Sequence, residues 1–209
     1  MSRNIFLVLF SIVMFSCNQQ SPSHHFKNAN AKYELKNYAG AVEDLNRAIE
    51  LNDTYKDAYY LRALSFTKMD DPENALNDFN KVIEIDPLFA DAYLNRAFYA
   101  RTALKNYKGA IDDYNKYLEL EPDGNRAYAL NNRGFSKFKL KNYSGALADI
   151  DESLQINPGN AYAYRNRALI HIEIDSIPDA CKDLHLADSL GFEKEYGNEV
   201  SELISNFCQ

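Results

Sequence analysis

Apolar residues are spaced along this chain as they are on one face of a helix. Tyr59, Ala63 and Phe66 fall at positions i, i+4 and i+7, and Ala75 and Phe79 begin a second stripe of the same kind a short distance on. This spacing is typical of amphipathic helices. Because a lone helix cannot hide its apolar stripe from water, the pattern predicts pairs of helices that pack stripe to stripe.

The pair of stripes is repeated five times at a nearly constant interval. Similar stretches begin at Tyr38, Pro72, Tyr107, Tyr143 and Ile177, and successive starts are 34, 35, 36 and 34 residues apart. A fixed interval in this range is typical of proteins built from stacked repeats.

Small residues recur at one position of each helix, where they let two helix axes approach closely. The first helices carry Ala29, Ala63, Ala97, Gly134 and Ala168, and the second carry Ala41, Ala75, Ala110, Ala146 and Ala180. The third repeat has one extra residue between its two small positions.

These small positions, a large apolar residue four positions after the second one, and a proline that ends most repeats resemble the tetratricopeptide repeat (TPR) family. The resemblance implies an all-α, right-handed superhelical solenoid of five helical hairpins. The hairpins are expected at 22–55, 56–89, 90–124, 125–160 and 161–192. A last amphipathic stripe, from Tyr196 to Phe207, predicts one C-terminal capping helix within 193–209, since stacked repeats need a cover for their last apolar face.

The first residues resemble a bacterial lipoprotein signal. Arg3 precedes an apolar run from Ile5 to Phe15, which is short for a membrane span, and Cys17 follows a small residue. The resemblance implies that 1–16 is a signal peptide, that Cys17 is acylated and that 17–21 is a tether. The protein would then be lipid-anchored to a membrane of the bacterial cell envelope, facing the periplasm. A plain secretory signal or an uncleaved anchor, with Cys17 incidental, stays open.

Composition argues against several classes of function. The 209 residues carry a formal net charge of −7, which disfavours binding to nucleic acid. The sequence contains no glycine-rich phosphate loop, paired-histidine zinc helix or hydrolase signature. We therefore expect a protein that is not an enzyme and has no cofactor, no metal and no small-molecule substrate.

Cys181 and Cys208 are the cysteines that remain if Cys17 is acylated. Disulfides persist in an oxidising compartment, and the capping helix would pack over the hairpin that carries Cys181, so a disulfide is expected. Two buried thiols are the alternative. A zinc site that adds His185 lacks an evident fourth ligand.

Arginine and aspartate also recur with the repeat. The predicted pairs are Arg62 with Asp78, Arg96 with Asp113, Arg133 with Asp149, and Arg167 with Asp183. They are interpreted as structural ion pairs between facing helices, with a charged binding strip as the alternative. The first repeat has Asn28 at the arginine position and is expected to lack the pair.

In the TPR family the first helices line a concave groove that binds partners. The corresponding residues here are Tyr60, Leu94, Phe98, Arg101, Tyr128, Asn131, Phe135, Phe138, Tyr162 and Arg165. Aromatic anchors with interspersed amides favour peptide or protein partners, although packing between repeats is the alternative for some of these positions. The predicted function is a membrane-tethered adaptor. The second possibility is a structural subunit of a secretion, pilus or outer-membrane-insertion assembly.

Overall fold

The structure, a computed structural model, describes residues 21–208, and all regular secondary structure in that range is helical. The helices are α1 (Pro22–Glu34), α2 (Tyr38–Leu51), α3 (Lys56–Lys68), α4 (Pro72–Ile85), α5 (Ala90–Asn95), a π-helical turn (Arg96–Arg101), α6 (Tyr107–Leu120), α7 (Arg126–Lys139), α8 (Tyr143–Ile156), α9 (Ala161–Glu173), α10 (Ile177–Ser189), α11 (Phe192–Tyr196) and α12 (Glu199–Phe207). The predicted signal peptide and Cys17 lie outside the described residues. None of the described helices is both long and apolar enough to cross a membrane.

The chain divides into two compact units, residues 1–104 and 105–209. In the first unit α1 pairs with α2 and α3 pairs with α4; in the second, α7 pairs with α8 and α9 with α10. The helices of the third repeat, α5 and α6, belong to different units. The predicted all-α fold of repeated helical hairpins is confirmed. The first helix of each repeat is called helix A, and the second is called helix B.

Each hairpin turns through one residue in the left-handed backbone region. The φ angles of Lys36, Asp70, Lys105, Lys141 and Asp175 lie between 56° and 61°. In four of the five turns the next residue is Asn or Asp, and its side chain accepts a hydrogen bond from the backbone N–H three residues later. Such capping satisfies one of the free donors at the start of a helix. A left-handed residue thus ends helix A in every repeat, and in four of the five repeats a capping side chain begins helix B directly after it.

The repeated small residues lie where helix A and helix B meet. Ala29, Ala41, Ala63 and Ala75 have no exposed surface, and the equivalent alanines of the second unit are equally buried. The approach is tight at Gly134, where an added Cβ would lie 2.7 Å from Cγ1 of Ile150 and 3.0 Å from the backbone oxygen of Ala146. A side chain at any of these positions competes directly with the partner helix for space.

The extra residue of the third repeat is held in the π-helical turn. The backbone N–H of Thr102 donates to the carbonyl oxygen of Ala97 at 3.1 Å, five residues back, and the Thr102 hydroxyl donates to the same oxygen at 2.8 Å. A π-turn holds one more residue than an α-turn. The insertion is therefore absorbed inside helix A, and the next left-handed residue, Lys105, is followed by the usual Asn cap.

The C-terminal cap is made of two helices, α11 and α12, where the sequence predicted one. Gly197, with φ of 89°, separates them. Phe192 and Val200 are buried against the last hairpin, whereas Tyr196 is 53% exposed. The predicted C-terminal capping helix is confirmed as α12. The apolar spacing runs across Gly197 without a break, so it does not predict the separate short helix α11.

Two links tie α12 to the last hairpin. A disulfide joins Cys181 on α10 to Cys208, with the Cα atoms 5.5 Å apart. Arg165 on α9 forms an ion pair with Glu199 through two guanidinium nitrogens. Both links hold α12 against α9 and α10, where it covers their apolar side chains.

Replacing Gly134 with Leu should lower the free energy of unfolding by about 1–3 kcal/mol, because the new side chain must push α7 away from α8. Leu is a better helix former than Gly, so a loss can only come from the contact between the helices. Denaturant unfolding followed by circular dichroism measures this. Gly159→Leu is the control, since the nearest atom to its added Cβ would be 3.5 Å away. Equal midpoints for the two variants would contradict the close approach.

The double variant Cys181→Ala, Cys208→Ala should lose about 3–4 kcal/mol of stability, since the disulfide closes a loop of 27 residues. Thermal unfolding with and without reductant provides the measurement. Reductant should lower the midpoint of the natural protein and leave that of the variant unchanged. A natural protein indifferent to reductant would refute this role of the disulfide.

Candidate functional site

The repeated Arg and Asp residues meet between helix A and helix B of the same repeat. The Nε and Nη2 atoms of Arg62 donate to the two carboxylate oxygens of Asp78 at 2.8 and 2.7 Å. The same two-bond geometry, at the same distances, joins Arg133 to Asp149 and Arg167 to Asp183. Such paired hydrogen bonds fix the orientation of both side chains.

Each of these arginines also reaches the preceding repeat. Through Nη1, Arg62 donates to Asn46 at 2.6 Å, Arg133 to Asn115 at 2.8 Å and Arg167 to Asp151 at 2.7 Å. These acceptors were not singled out from the sequence, although they recur five positions after the small residue of helix B. The arginines therefore link neighbouring repeats as well as the two helices of one repeat. This geometry favours a structural ladder, because the donors and acceptors are already occupied within the protein.

Arg96 and Asp113 lie in different units. Within the first unit, Arg96 donates from Nη1 to Asn80 at 2.7 Å, the contact expected with a preceding repeat. Asp113 is a buried residue of α6. Their pairing stays a prediction.

In the first repeat, where Asn28 stands at the arginine position, a lysine from another position pairs with the aspartate. Lys32 Nζ lies 2.8 Å from a carboxylate oxygen of Asp44, and Arg47 lies 3.9 Å from the other. A lysine at the equivalent place in the fourth repeat, Lys137, likewise contacts Asp149 at 2.7 Å. Asn28 itself does not pair with Asp44, and a lysine one turn further along helix A reaches the carboxylate instead.

Burial offsets part of the favourable free energy of the Arg–Asp ion pairs that form the ladder. It raises the pKa of the Asp78 carboxyl above its ordinary value, although the hydrogen bonds and charge of Arg62 act to lower it. Removing the Asp78 carboxylate from water therefore offsets part of the gain from its ion pair with Arg62, as is common for buried ion pairs.

In the first unit, tyrosine side chains gather on the exposed side of the A helices. We call this surface the first helix-A face and define it by Tyr33, Tyr60, Leu64, Leu94 and Tyr99, all half-buried. The phenol oxygen of Tyr60 accepts a hydrogen bond from Asn95 Nδ2 at 2.6 Å. Burial, with a smaller contribution from the Asp91 carboxylate, raises the pKa of Tyr60 to about 12.

The π-turn changes which residues of α5 correspond to the predicted groove positions. Counted back from the left-handed turn residue, Tyr99 and Thr102 match Leu64 and Thr67 of the second repeat. Phe98 and Arg101, predicted by counting forward from Ala97, are each one residue out of step. Tyr99 contributes to the raised pKa values of both Tyr33 and Tyr60, so these three phenols lie near one another.

In the second unit, the second helix-A face comprises Tyr128, Phe135, Phe138 and Tyr162, all half-buried. The rings of Phe135 and Phe138 lie 6.2 Å apart, and Lys139 Nζ lies 5.0 and 5.4 Å from their centroids. Aromatic side chains that keep part of their surface exposed are the usual anchors for a bound partner.

Asn131 does not belong to this exposed surface. It is 2% exposed, and its side-chain oxygen accepts a hydrogen bond from Asn166 at 3.1 Å. Arg165 donates to Asn166 at 2.8 Å and is held by Glu199. Asn131 was placed in the groove by its correspondence with family positions, but it belongs to a buried polar chain from α7 through α9 to the cap, so its predicted groove position was wrong.

A cavity of about 330 Å³ lies at the start of the second helix-A face. It is lined by Asn125, Ala127, Tyr128, Asn157, Gly159, Asn160, Ala161, Tyr162, Leu190, Gly191, Glu195 and Tyr196. We call it the terminal cavity, because the cap supplies one of its walls. Among the described residues, no group of three His, Cys, Asp or Glu side chains is placed to hold a metal ion.

Family models match most of the repeats. Models described as tetratricopeptide repeat match residues 57–89, 90–123 and 127–160, and one described as TPR repeat matches 29–70. Together they cover more than half of the chain, which therefore belongs to the tetratricopeptide repeat family. No curated protein sequence gives a significant match over this chain.

Solved structures share the fold at low sequence identity. A MamA protein matches with a TM-score of 0.74 and 16% identity, over 85% of this chain and 94% of its own. YrrB, described as a TPR protein with an unusual peptide-binding site, matches with a TM-score of 0.76 and 16% identity, over 93% and 97%. The first TPR of Spaghetti (RPAP3), bound to an HSP90 peptide, matches with a TM-score of 0.55 and 22% identity, over 59% and 94%.

Replacing Asp149 with Ala should lower the free energy of unfolding by about 2–4 kcal/mol, because Arg133 and Lys137 both lose their carboxylate partner. Denaturant unfolding provides the measurement. The matched control is Glu119→Ala, which breaks only the exposed pair with Lys116 at 2.9 Å and should cost less than about 1 kcal/mol. Similar losses in the two variants would rule out a structural role for the ladder.

Proposed function

We propose that this protein is a membrane-tethered adaptor that holds peptide or protein partners on its helix-A faces and catalyses no reaction. The observation that carries this proposal is the partial solvent exposure of the aromatic side chains on those faces. Tyr128, Phe135, Phe138 and Tyr162 keep part of their surface exposed, and the first and last of them line the terminal cavity. Contact with a partner would bury the remaining aromatic surface, which favours association.

The rest of the repeat offers less to a partner. The Arg and Asp side chains are bound to each other, and the small residues are buried between helices. The helix-A faces, in contrast, differ from repeat to repeat and stay accessible. Two of the structures with this fold are described with a peptide-binding site or a bound peptide, which supports the same use of the fold here.

The tether is proposed from the sequence of the first residues. A single early Arg3, the apolar run from Ile5 to Phe15 and the following Cys17 form the signal expected of a lipoprotein. Several acyl chains on one cysteine bind a bilayer stably, since each buried CH₂ contributes about 0.8 kcal/mol. The adaptor would then work at a membrane of the bacterial cell envelope, on its periplasmic side.

Affinity capture from membranes after crosslinking tests the adaptor function. The double variant Tyr128→Ala, Phe135→Ala should recover at least about tenfold less of each partner than the natural protein, as expected for loss of central aromatic anchors. The matched control Ile156→Ala, Leu186→Ala removes exposed apolar side chains from helix B and should recover partners normally. Undiminished recovery with the first variant would refute the helix-A faces as the binding surface and favour a structural subunit.

Mass spectrometry of the mature N-terminus tests the tether independently. We expect a chain that begins at an acylated Cys17, and a Cys17→Ser variant that leaves the membrane fraction. A chain that retains Met1, or an unmodified Cys17, would contradict the lipid anchor while leaving the adaptor role intact.

A further inference from the structure

The terminal cavity differs from the repeated surfaces because the cap, which is not a repeat, forms part of its lining. α7 and α9 contribute Tyr128 and Tyr162 at equivalent positions near their first turns, and α11 contributes Glu195 and Tyr196. A volume of about 330 Å³ is enough for one large side chain of a bound peptide.

Glu195 is the only charged side chain among the described residues that line the cavity; the others are tyrosine, asparagine or apolar. Two arginines next to lining residues are already paired, and the guanidinium of Arg165 also lies 5.6 Å from the ring centroid of Tyr162. Arg165 is bound by Glu199, and Arg126, beside the lining residue Ala127, is bound by Glu152. No lysine or arginine is among the described residues that line the cavity, so Glu195 supplies the charge that a partner would meet there.

The tyrosines add to the attraction for a positive charge. The rings of Tyr162 and Tyr196 lie 5.4 Å apart, and Tyr196 is 53% exposed. Burial first, and then the charge of Glu195 and a hydrogen bond with it, raise the pKa of the Tyr196 phenol, so carboxylate and phenol lie together. The electron-rich faces of aromatic rings attract cations.

Helix dipoles do not reverse the preference of the terminal cavity for a positive charge. The N-terminal ends of α7 and α9 border the cavity and carry partial positive charge, but the residues just after α8 and α10, Asn157 and Leu190, border it too and bring partial negative charge. Each end contributes about half an elementary charge and opposite ends offset one another. The full charge of Glu195 therefore decides the sign.

We propose that the terminal cavity binds a cationic side chain, the guanidinium of an arginine or the ammonium of a lysine, from a peptide lying on the second helix-A face. The proposal rests on the proposed adaptor function and adds the chemistry of the partner. Glu195 forms the ion pair, while Tyr128, Tyr162 and Tyr196 surround the aliphatic stem and the charged group. An acidic residue at the same place in the peptide is excluded by repulsion from Glu195.

The test begins with the purified full chain applied to an array of random dodecapeptides. Retained peptides should be enriched in Arg or Lys at one position and depleted in Asp and Glu there. The strongest peptides are then resynthesised with that residue replaced by citrulline or norleucine, which keep the size of the side chain without its charge. Calorimetry should show affinities about five- to tenfold weaker, the effect expected of a partly desolvated cation against carboxylate and rings.

Glu195→Gln should weaken the affinity for the basic peptide by a similar factor and leave the affinity for the uncharged peptide unchanged. The difference between the two peptides isolates the interaction of Glu195 with the basic side chain. Glu173→Gln is the matched control, since it changes the net charge equally at an exposed residue outside the cavity lining. The cation site would be overturned if the retained peptides showed no preference for Arg or Lys, or if the two Gln variants bound the basic peptide with equal affinity. Either result would leave peptide binding itself in place. An array that retains no peptide would overturn both.

Discussion

The close approach of two helices within each hairpin is the constraint on which the rest of this structure depends. A helix with one apolar stripe gains little by folding alone, since most helical stability comes from tertiary packing. Here the contact is made by Ala or Gly on both helices, and their side chains have no exposed surface. At Gly134 even a methyl group would meet the neighbouring helix. Once the axes are this close, the larger residues one turn away, such as Ile150 and Leu184, can fill the adjoining layer.

The ladder of arginine and aspartate fixes how neighbouring helices are aligned along their axes more than it adds to stability. Burial raises the pKa of Asp78 although Arg62 acts to lower it, so desolvation opposes the attraction between the members of this pair. What the pair provides is geometry, because one guanidinium must meet a carboxylate of its own repeat and an oxygen of the preceding one. A sliding of one helix along another would leave these buried charges unpaired, and that is strongly unfavourable.

Much of this fold could be predicted from the sequence because it depends on spacing. The small residues, the Arg and Asp positions and the hairpin turns all recur at the repeat interval, and the structure brings Arg62, Arg133 and Arg167 to their aspartates. The details that spacing did not predict have a different origin. Gly197 bends the cap within an unbroken apolar pattern, the π-turn moves Tyr99 into the place assigned to Phe98, and Asn131 turns inward to Asn166. Each depends on a local backbone or side-chain choice that spacing does not record.

These departures from the repeat also bear on function. A residue at a repeated position is constrained by the same packing in every repeat, so it cannot easily distinguish one end of the chain from the other. The cap is free of that constraint. It covers the last apolar face with Phe192 and Val200, and the same short segment brings Glu195 and Tyr196 beside Tyr128 and Tyr162. Closing the core and forming the cavity proposed to bind a partner are thus consequences of one non-repeated segment. The part of the chain most particular to this protein is therefore the place where selectivity for a partner can arise without disturbing the repeats.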